Sequence, residues 1–185
     1  SRILFCMENE DGIHTMQKLI VTTINSLIKQ MCEEVLANTD QIIEAAVVGN
    51  TAMHHFFAGL PVRQLGLSPY TPAVTQSMSL KPSEIGLTVS SNALIYLPEN
   101  IAGYVGGDHV AMVVATKAFE AQDIVLALDI GTNTEISLVH DGKIYTCSCA
   151  SGPAFEGAHI QDGMRAADGA IERVSIEHDQ LFLST

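Results

Sequence analysis

Apolar residues recur at three- and four-residue spacing at Ile13, Met16, Leu19, Ile20, Ile24, Leu27, Ile28, Met31 and Val35. This period predicts one long amphipathic helix over 12–36, N-capped by Asp11 and ended by the turn residues 38–40. Residues 42–48 read as a buried strand that breaks at Gly49-Asn50-Thr51. A short helix over 52–58 follows, with Gly59 and Pro61 as its stop. The stretch 60–92 has no period. Its prolines Pro61, Pro69, Pro72 and Pro82 predict a mostly superficial insertion, with a helical turn at 82–85. A short strand is expected at 93–97. Gly103, Gly106 and Gly107 then open a loop before a second amphipathic helix at 108–119, for which Asp108 is the simplest N-cap.

From residue 124 the texture changes. An apolar strand over 124–130 closes on Asp129, turns through 131–134 and returns as a strand over 135–140. Asp141-Gly142 is a two-residue hairpin signal leading to a third strand at 143–148. Residues 151–169 are glycine-rich and predict a helix, and 173–176 with 181–184 predict another hairpin. The chain therefore divides near 119–123 into an α/β part, 1–121, and a part rich in β-hairpins, 122–185.

Composition narrows the function classes. Of 185 residues 47% are hydrophobic, so the chain can bury a core and is not a disordered acidic tail. Nine Lys and Arg against 21 Asp and Glu give a net charge of −12. This excludes nucleic acid and anionic membrane surfaces as main partners, because both need clustered cations. No apolar run is long enough to cross a bilayer, and residues 1–10 lack the pattern of a secretory signal. Four cysteines, Cys6, Cys32, Cys147 and Cys149, are too few for a disulfide scaffold, and a cytoplasmic location with reduced thiols fits them. Cys147 and Cys149 form C-x-C, read as small strand residues on one side ahead of a metal pair. Of seven histidines, the adjacent His54 and His55 diverge by about 100° on a helix and do not chelate one ion easily. The others show no paired metal spacing.

The stretch LALDIGTNTEISL over 126–138 carries the most chemistry. Gly131 permits close approach of backbone to a ligand, and consecutive turn amides can form an anion-binding nest. Thr132, Asn133 and Thr134 add side-chain donors. Asp129 repels phosphate directly but can hold Mg²⁺ through water. A plain polar hairpin turn is the competing reading. Further along, Gly152 in the segment S-G-P-A opens the expected helix and could face a phosphate, or simply stiffen the turn. Glu156, Arg165 and Asp108 carry weaker versions of the same choice between a ligand contact and a surface role.

The hairpin DIGTNTE at 129–135 resembles a phosphate loop of the ASKHA superfamily, which comprises actin, sugar and acetate kinases and heat-shock chaperones. Longer stretches resemble the ATPase region of reductive activators of corrinoid proteins. These are VVGNTAMH at 47–54, LPVRQLG at 60–66, LPENIAGYVGGD at 97–108, and ASGPAFEGAH at 150–159 with GMRAA at 163–167. The resemblance implies an α/β fold made of partial actin-like (ribonuclease H-like) lobes, one over 1–121 and one over 122–185. It also implies a two-lobed ATPase that couples Mg²⁺ and ATP to the reduction of a cobalt(II) corrinoid on a partner protein. A [2Fe–2S] ferredoxin-like domain would supply the electrons. That domain, the first phosphate hairpin and the adenosine-binding segment are not in this sequence. The chain thus reads as an internal piece, inactive alone, whose open sheet edges predict a homodimer.

On this resemblance Asn50 sits where sugar kinases of the superfamily carry an Asp base. An amide cannot accept a proton at neutral pH, which disfavours the alternative of a sugar or acyl kinase. Asn50 can equally be the N-cap of the helix that follows. A third reading, a non-catalytic interaction module, predicts that Asp129 is dispensable.

Overall fold

The computed structural model describes residues 2–152, 164, 167–171, 173–177 and 180–185. The helix expected within 151–169, together with Pro153, Glu156, His159, Arg165 and His178, lies outside the described residues.

The chain is a mixed α/β protein with several sheets. Its helices are α1 (Arg2–Glu8), α2 (Gly12–Glu34), α3 (Thr51–Ala58), α4 (Pro82–Ile85) and α5 (Gly107–Ala115). Its strands are β1 (Glu44–Ala46), β2 (Met78–Leu80), β3 (Leu94–Leu97), β4 (Val125–Ile130), β5 (Asn133–His140), β6 (Lys143–Ala150), β7 (Arg173–Glu177) and β8 (Gln180–Ser184). The first sheet has the order β1-β3-β2, with β1 parallel and β2 antiparallel to β3. The second is an antiparallel meander β4-β5-β6, and β7 pairs with β8.

One face of the first sheet is covered. Ile95 and Leu97 are fully buried while the alternating Leu94 and Tyr96 are exposed, the two-residue period of a half-covered strand. Val21 of α2, Phe57 of α3, Ile85 and Leu87 complete this core, and Ile20, Ile24 and Ile28 pack against it. A neighbouring cluster joins Phe56, Val62 and Leu65 to Ile3 and Cys6 of α1.

Several expectations are corrected. Residues 2–8 form a helix that no long period announces; it is held by the Ile3 and Cys6 contacts rather than by its own pattern. The long helix ends at Glu34, and Asp11 makes no side-chain cap. Its stripe is broader than its contact, so Leu27, Met31 and Val35 stay exposed. The strand expected at 42–48 is only three residues long and half-exposed, because it lies at the sheet edge with β3 as its partner on one side. Residues 60–92 are not merely superficial. They supply β2 and α4, and they bury Val62, Leu65, Ile85 and Leu87 as isolated side chains without a period. The second long helix starts one residue early with Gly106 at its N-cap, and breaks at Thr116 before a short 3₁₀ turn, Ala118–Glu120.

The meander follows its turn chemistry closely. Asp141 and Gly142 both have positive φ, and His140 pairs with Lys143, as a two-residue primed turn requires. One face of this sheet meets α5, where Val113, Ala118 and Val139 form a buried cluster with Met112 and Val125 against it. On the other face Leu126, Leu128 and Ile130 are exposed.

Candidate functional site

Two tight loops of the first part meet beside the first sheet. Asn50 caps α3: its side-chain oxygen accepts the Met53 N–H at 3.0 Å. Thr51 is buried and its hydroxyl donates to the Ala102 carbonyl at 2.7 Å. Asp108 N donates to the Gly49 carbonyl at 3.2 Å, and Gly107 N to the Asn100 side-chain oxygen at 3.2 Å. The approach is so close that a Cβ on Gly106 would stand 2.6 Å from both Asn50 Cα and Thr51 N. Only glycine fits there. The contact locks the start of α5 to the start of α3 and sets Asp108 next to Asn50 and Thr51.

The β4–β5 hairpin forms the facing wall. Gly131, Thr132 and Asn133 make the turn, with Ile130 paired to Thr134. Gly131 N donates to the Asn133 carbonyl at 3.0 Å, and a Cβ on Gly131 would stand 3.2 Å from that oxygen. The Gly131 amide is therefore spent inside the turn rather than offered to an anion nest. The Thr132 carbonyl accepts the N–H groups of Ser151 and Gly152 at 3.1 and 2.9 Å. Thr134 is buried and receives the Ser151 hydroxyl at 2.5 Å. Gly152 and Thr134 thus brace the turn from behind.

Between these walls lies a cleft of about 410 Å³. Asn50, Thr51, Gly103, Tyr104 and Asp108 line one side, and Asp129, Gly131, Thr132, Asn133 and Glu135 the other. Of the residues singled out from the sequence, Asn50, Asp129, Gly131, Thr132 and Asn133 come together here, and Thr134 and Gly152 support them. Glu135 was missed as a site residue. Hairpin register is the signal that finds it, since Glu135 stands directly across from Asp129 and shares its face. Its carboxylate accepts the Ser148 hydroxyl at 3.0 Å.

Charge decides what the cleft can hold. Asp108, Asp129 and Glu135 contribute three carboxylates, and no Lys, Arg or His is among the described lining residues. A polyanion enters such a site only with a cation that offsets the repulsion. Among the described residues, no group of three His, Cys, Asp or Glu side chains converges as metal ligands. The set therefore suits a hydrated divalent ion carried in on a phosphate chain, not a closed protein cage.

His55 plays a structural part. His55 is fully buried; its Nδ1–H donates to the Thr51 carbonyl at 2.8 Å and its Nε2 accepts the Ala73 N–H at 3.0 Å. Burial pushes the His55 pKa down, with the Thr51 carbonyl acting the other way. Burial also lowers the His54 pKa, helped by His55 and opposed by the Pro98 backbone. Cys147 and Cys149 are free and exposed on one face of β6, opposite Ile136 and Thr134.

The fold and the cleft define a mixed α/β protein whose second part carries an ASKHA-type hairpin. The family described as "RACo middle region" matches residues 1–120, and "C-terminal domain of RACo the ASKHA domain" matches residues 123–185. The chain belongs to the RACo family. It is 32% identical over 184 residues to the "Corrinoid activation enzyme RamQ" of Eubacterium limosum, covering 100% of this chain and 31% of that protein. It is 31% identical over 171 residues to the "[Co(II) methylated amine-specific corrinoid protein] reductase" of Methanosarcina barkeri, covering 88% and 30% respectively. A solved "Reductive activator for corrinoid,iron-sulfur protein" superposes with a TM-score of 0.85 at 40% identity, over 100% of this chain and 30% of that one. The chain thus spans about 30% of the length of these relatives.

Proposed function

We propose that this chain is the nucleotide-responsive segment of a protein that reductively activates corrinoid proteins. The carrying observation is the cleft itself, where the Asp129 hairpin faces Asn50, Thr51 and Asp108. Residues 1–121 and 122–185 act as parts of two lobes, and the cleft between them takes ATP with Mg²⁺. Asn133, Thr132 and the Gly131 turn meet the phosphates, and Asp129 orients the hydrated Mg²⁺. The cation supplies charge neutralisation that the described lining side chains lack. Binding draws the two walls together, and that movement is transmitted to a corrinoid protein docked on the full-length molecule. A [2Fe–2S] domain elsewhere in the polypeptide delivers the electron that takes cobalt(II) to cobalt(I). The setting is cytoplasmic and the assembly a homodimer, with the edges of β1 and β4 as the surfaces that pair. Asn50 favours this reading over a small-molecule kinase: its amide is engaged as a helix cap and has no basic oxygen to offer a substrate hydroxyl.

The test is Asp129→Ala in the full-length protein. ATP-dependent cobalt reduction should be lost while binding of the corrinoid protein persists. Reduction at the wild-type rate would instead favour a module that only docks.

A further inference from the structure

The buried row behind the cleft links its two walls. His109 on α5 and Ser137 on β5 are both fully buried, and His109 Nε2 lies 2.6 Å from Ser137 Oγ. Among the described residues His109 Nδ1 has no hydrogen-bond partner, so this contact carries the ring's polar pairing. Val113 lies one turn from His109 on the same face of α5, and Val139 lies two residues from Ser137 on the same face of β5. These two valines meet in the apolar cluster. In the opposite direction along each element the next cleft-lining residues are Asp108 and Glu135. The same two elements therefore run from a dry apolar contact, through one polar pair, to the two carboxylates of the cleft.

We infer that His109 and Ser137 are positioning residues that pin the register of α5 on the second sheet, and so set the spacing of Asp108 from Glu135. Apolar contacts alone tolerate sliding, because valine packs against valine with little directional preference. A buried imidazole and hydroxyl do not: a shift of one residue leaves both unpaired away from water, at a cost well above that of a displaced methyl contact. The pair thus selects one arrangement of the walls. This inference rests on the reading of the cleft as a Mg-ATP site, since Asp108 and Glu135 stand on its two opposing walls.

The test uses the full-length protein and a double-mutant cycle of Ser137→Ala, His109→Ala and the double variant, read by calorimetric titration with Mg-ATP. Each single change should weaken Mg-ATP about tenfold, and the double no further, because either removes the whole latch. His109→Gln, which keeps a side-chain donor and acceptor, should recover most of the affinity. Should Ser137→Ala fail to fold, Ser137→Cys, with its weaker hydrogen bond in similar volume, takes its place with an expected loss of about threefold. A merely structural role lowers the unfolding temperature of each variant but leaves Mg-ATP affinity within twofold of wild type, and that result overturns the inference. Fully additive losses overturn it as well. A wild-type protein that takes up no Mg-ATP removes the reading of the cleft and this inference together, whereas normal wild-type binding with unaffected variants removes the latch alone.

Discussion

Asp129 and Glu135 face each other directly across the β4–β5 hairpin, both on the cleft wall. Like charges at directly opposed strand positions repel, and a stability-driven sequence would avoid them. Removing one charge should therefore stabilise the ligand-free protein. Glu135→Gln keeps an oxygen for the Ser148 hydroxyl and is expected to raise stability by about 0.5 kcal/mol in urea unfolding. The same change should weaken Mg-ATP binding, measured by titration. A loss of stability would show that the two carboxylates do not repel.

Gly106 offers a prediction on packing. A Cβ there would fall so near the Asn50–Thr51 backbone that Gly106→Ala must displace main chain rather than a flexible side-chain end. We expect a loss of about 2 kcal/mol or more in chemical denaturation. Gly142→Ala makes a control of a different kind, because nothing lies within 4 Å of its added methyl and only its positive φ is strained.

Two of the buried histidines, His54 and His55, give stability a pH dependence. Both have folded pKa values below the ordinary value of about 6.5, first because of burial. Below that value the unfolded chain binds protons that the folded chain refuses, so stability falls as the pH drops. It should be fully present above about pH 7 and decline from about pH 6.5 downward until the depressed folded values are reached. Urea midpoints between pH 8 and pH 5 measure this slope. His55→Gln should flatten it.

Asn50 separates its two roles by substitution. Asn50→Ala removes the cap of α3 and should cost about 1 kcal/mol of stability. Asn50→Asp preserves the cap, so stability should stay within about 0.5 kcal/mol of wild type. It adds a fourth carboxylate to the cleft, and Mg-ATP affinity should then become more dependent on free Mg²⁺. Thermal unfolding and titration at two Mg²⁺ concentrations distinguish the two effects.

What could be read from the sequence was what local chemistry determines. Asp141-Gly142 forced its turn, Asn50 capped α3, and the DIGTNT stretch folded as strand, turn and strand. The short β2 and the helix over residues 2–8 were illegible, because their apolar residues are single anchors whose meaning depends on distant partners: the Phe57 and Ile95 core for Met78 and Leu80, Phe56 for Ile3 and Cys6. Asp108 was read as an N-cap, but the close fit at Gly106 puts the cap two residues earlier and leaves Asp108 in the first turn, lining the cleft. The His109–Ser137 contact joins residues 28 apart that no spacing rule connects. The cleft follows from tertiary packing, so the sequence identified its pieces without identifying their neighbours.

The turns of the meander also bear on the order of assembly. β4, β5 and β6 are joined by a three-residue and a two-residue turn, so each strand finds its partner by local search on a microsecond scale. The parallel pairing of β1 with β3 must instead close about 50 residues, from Glu44 to Leu94, before any ladder bond forms. The hairpin and its Gly131 turn are thus expected to exist before the first sheet does, and the cleft is completed only when the slower, long-range half arrives.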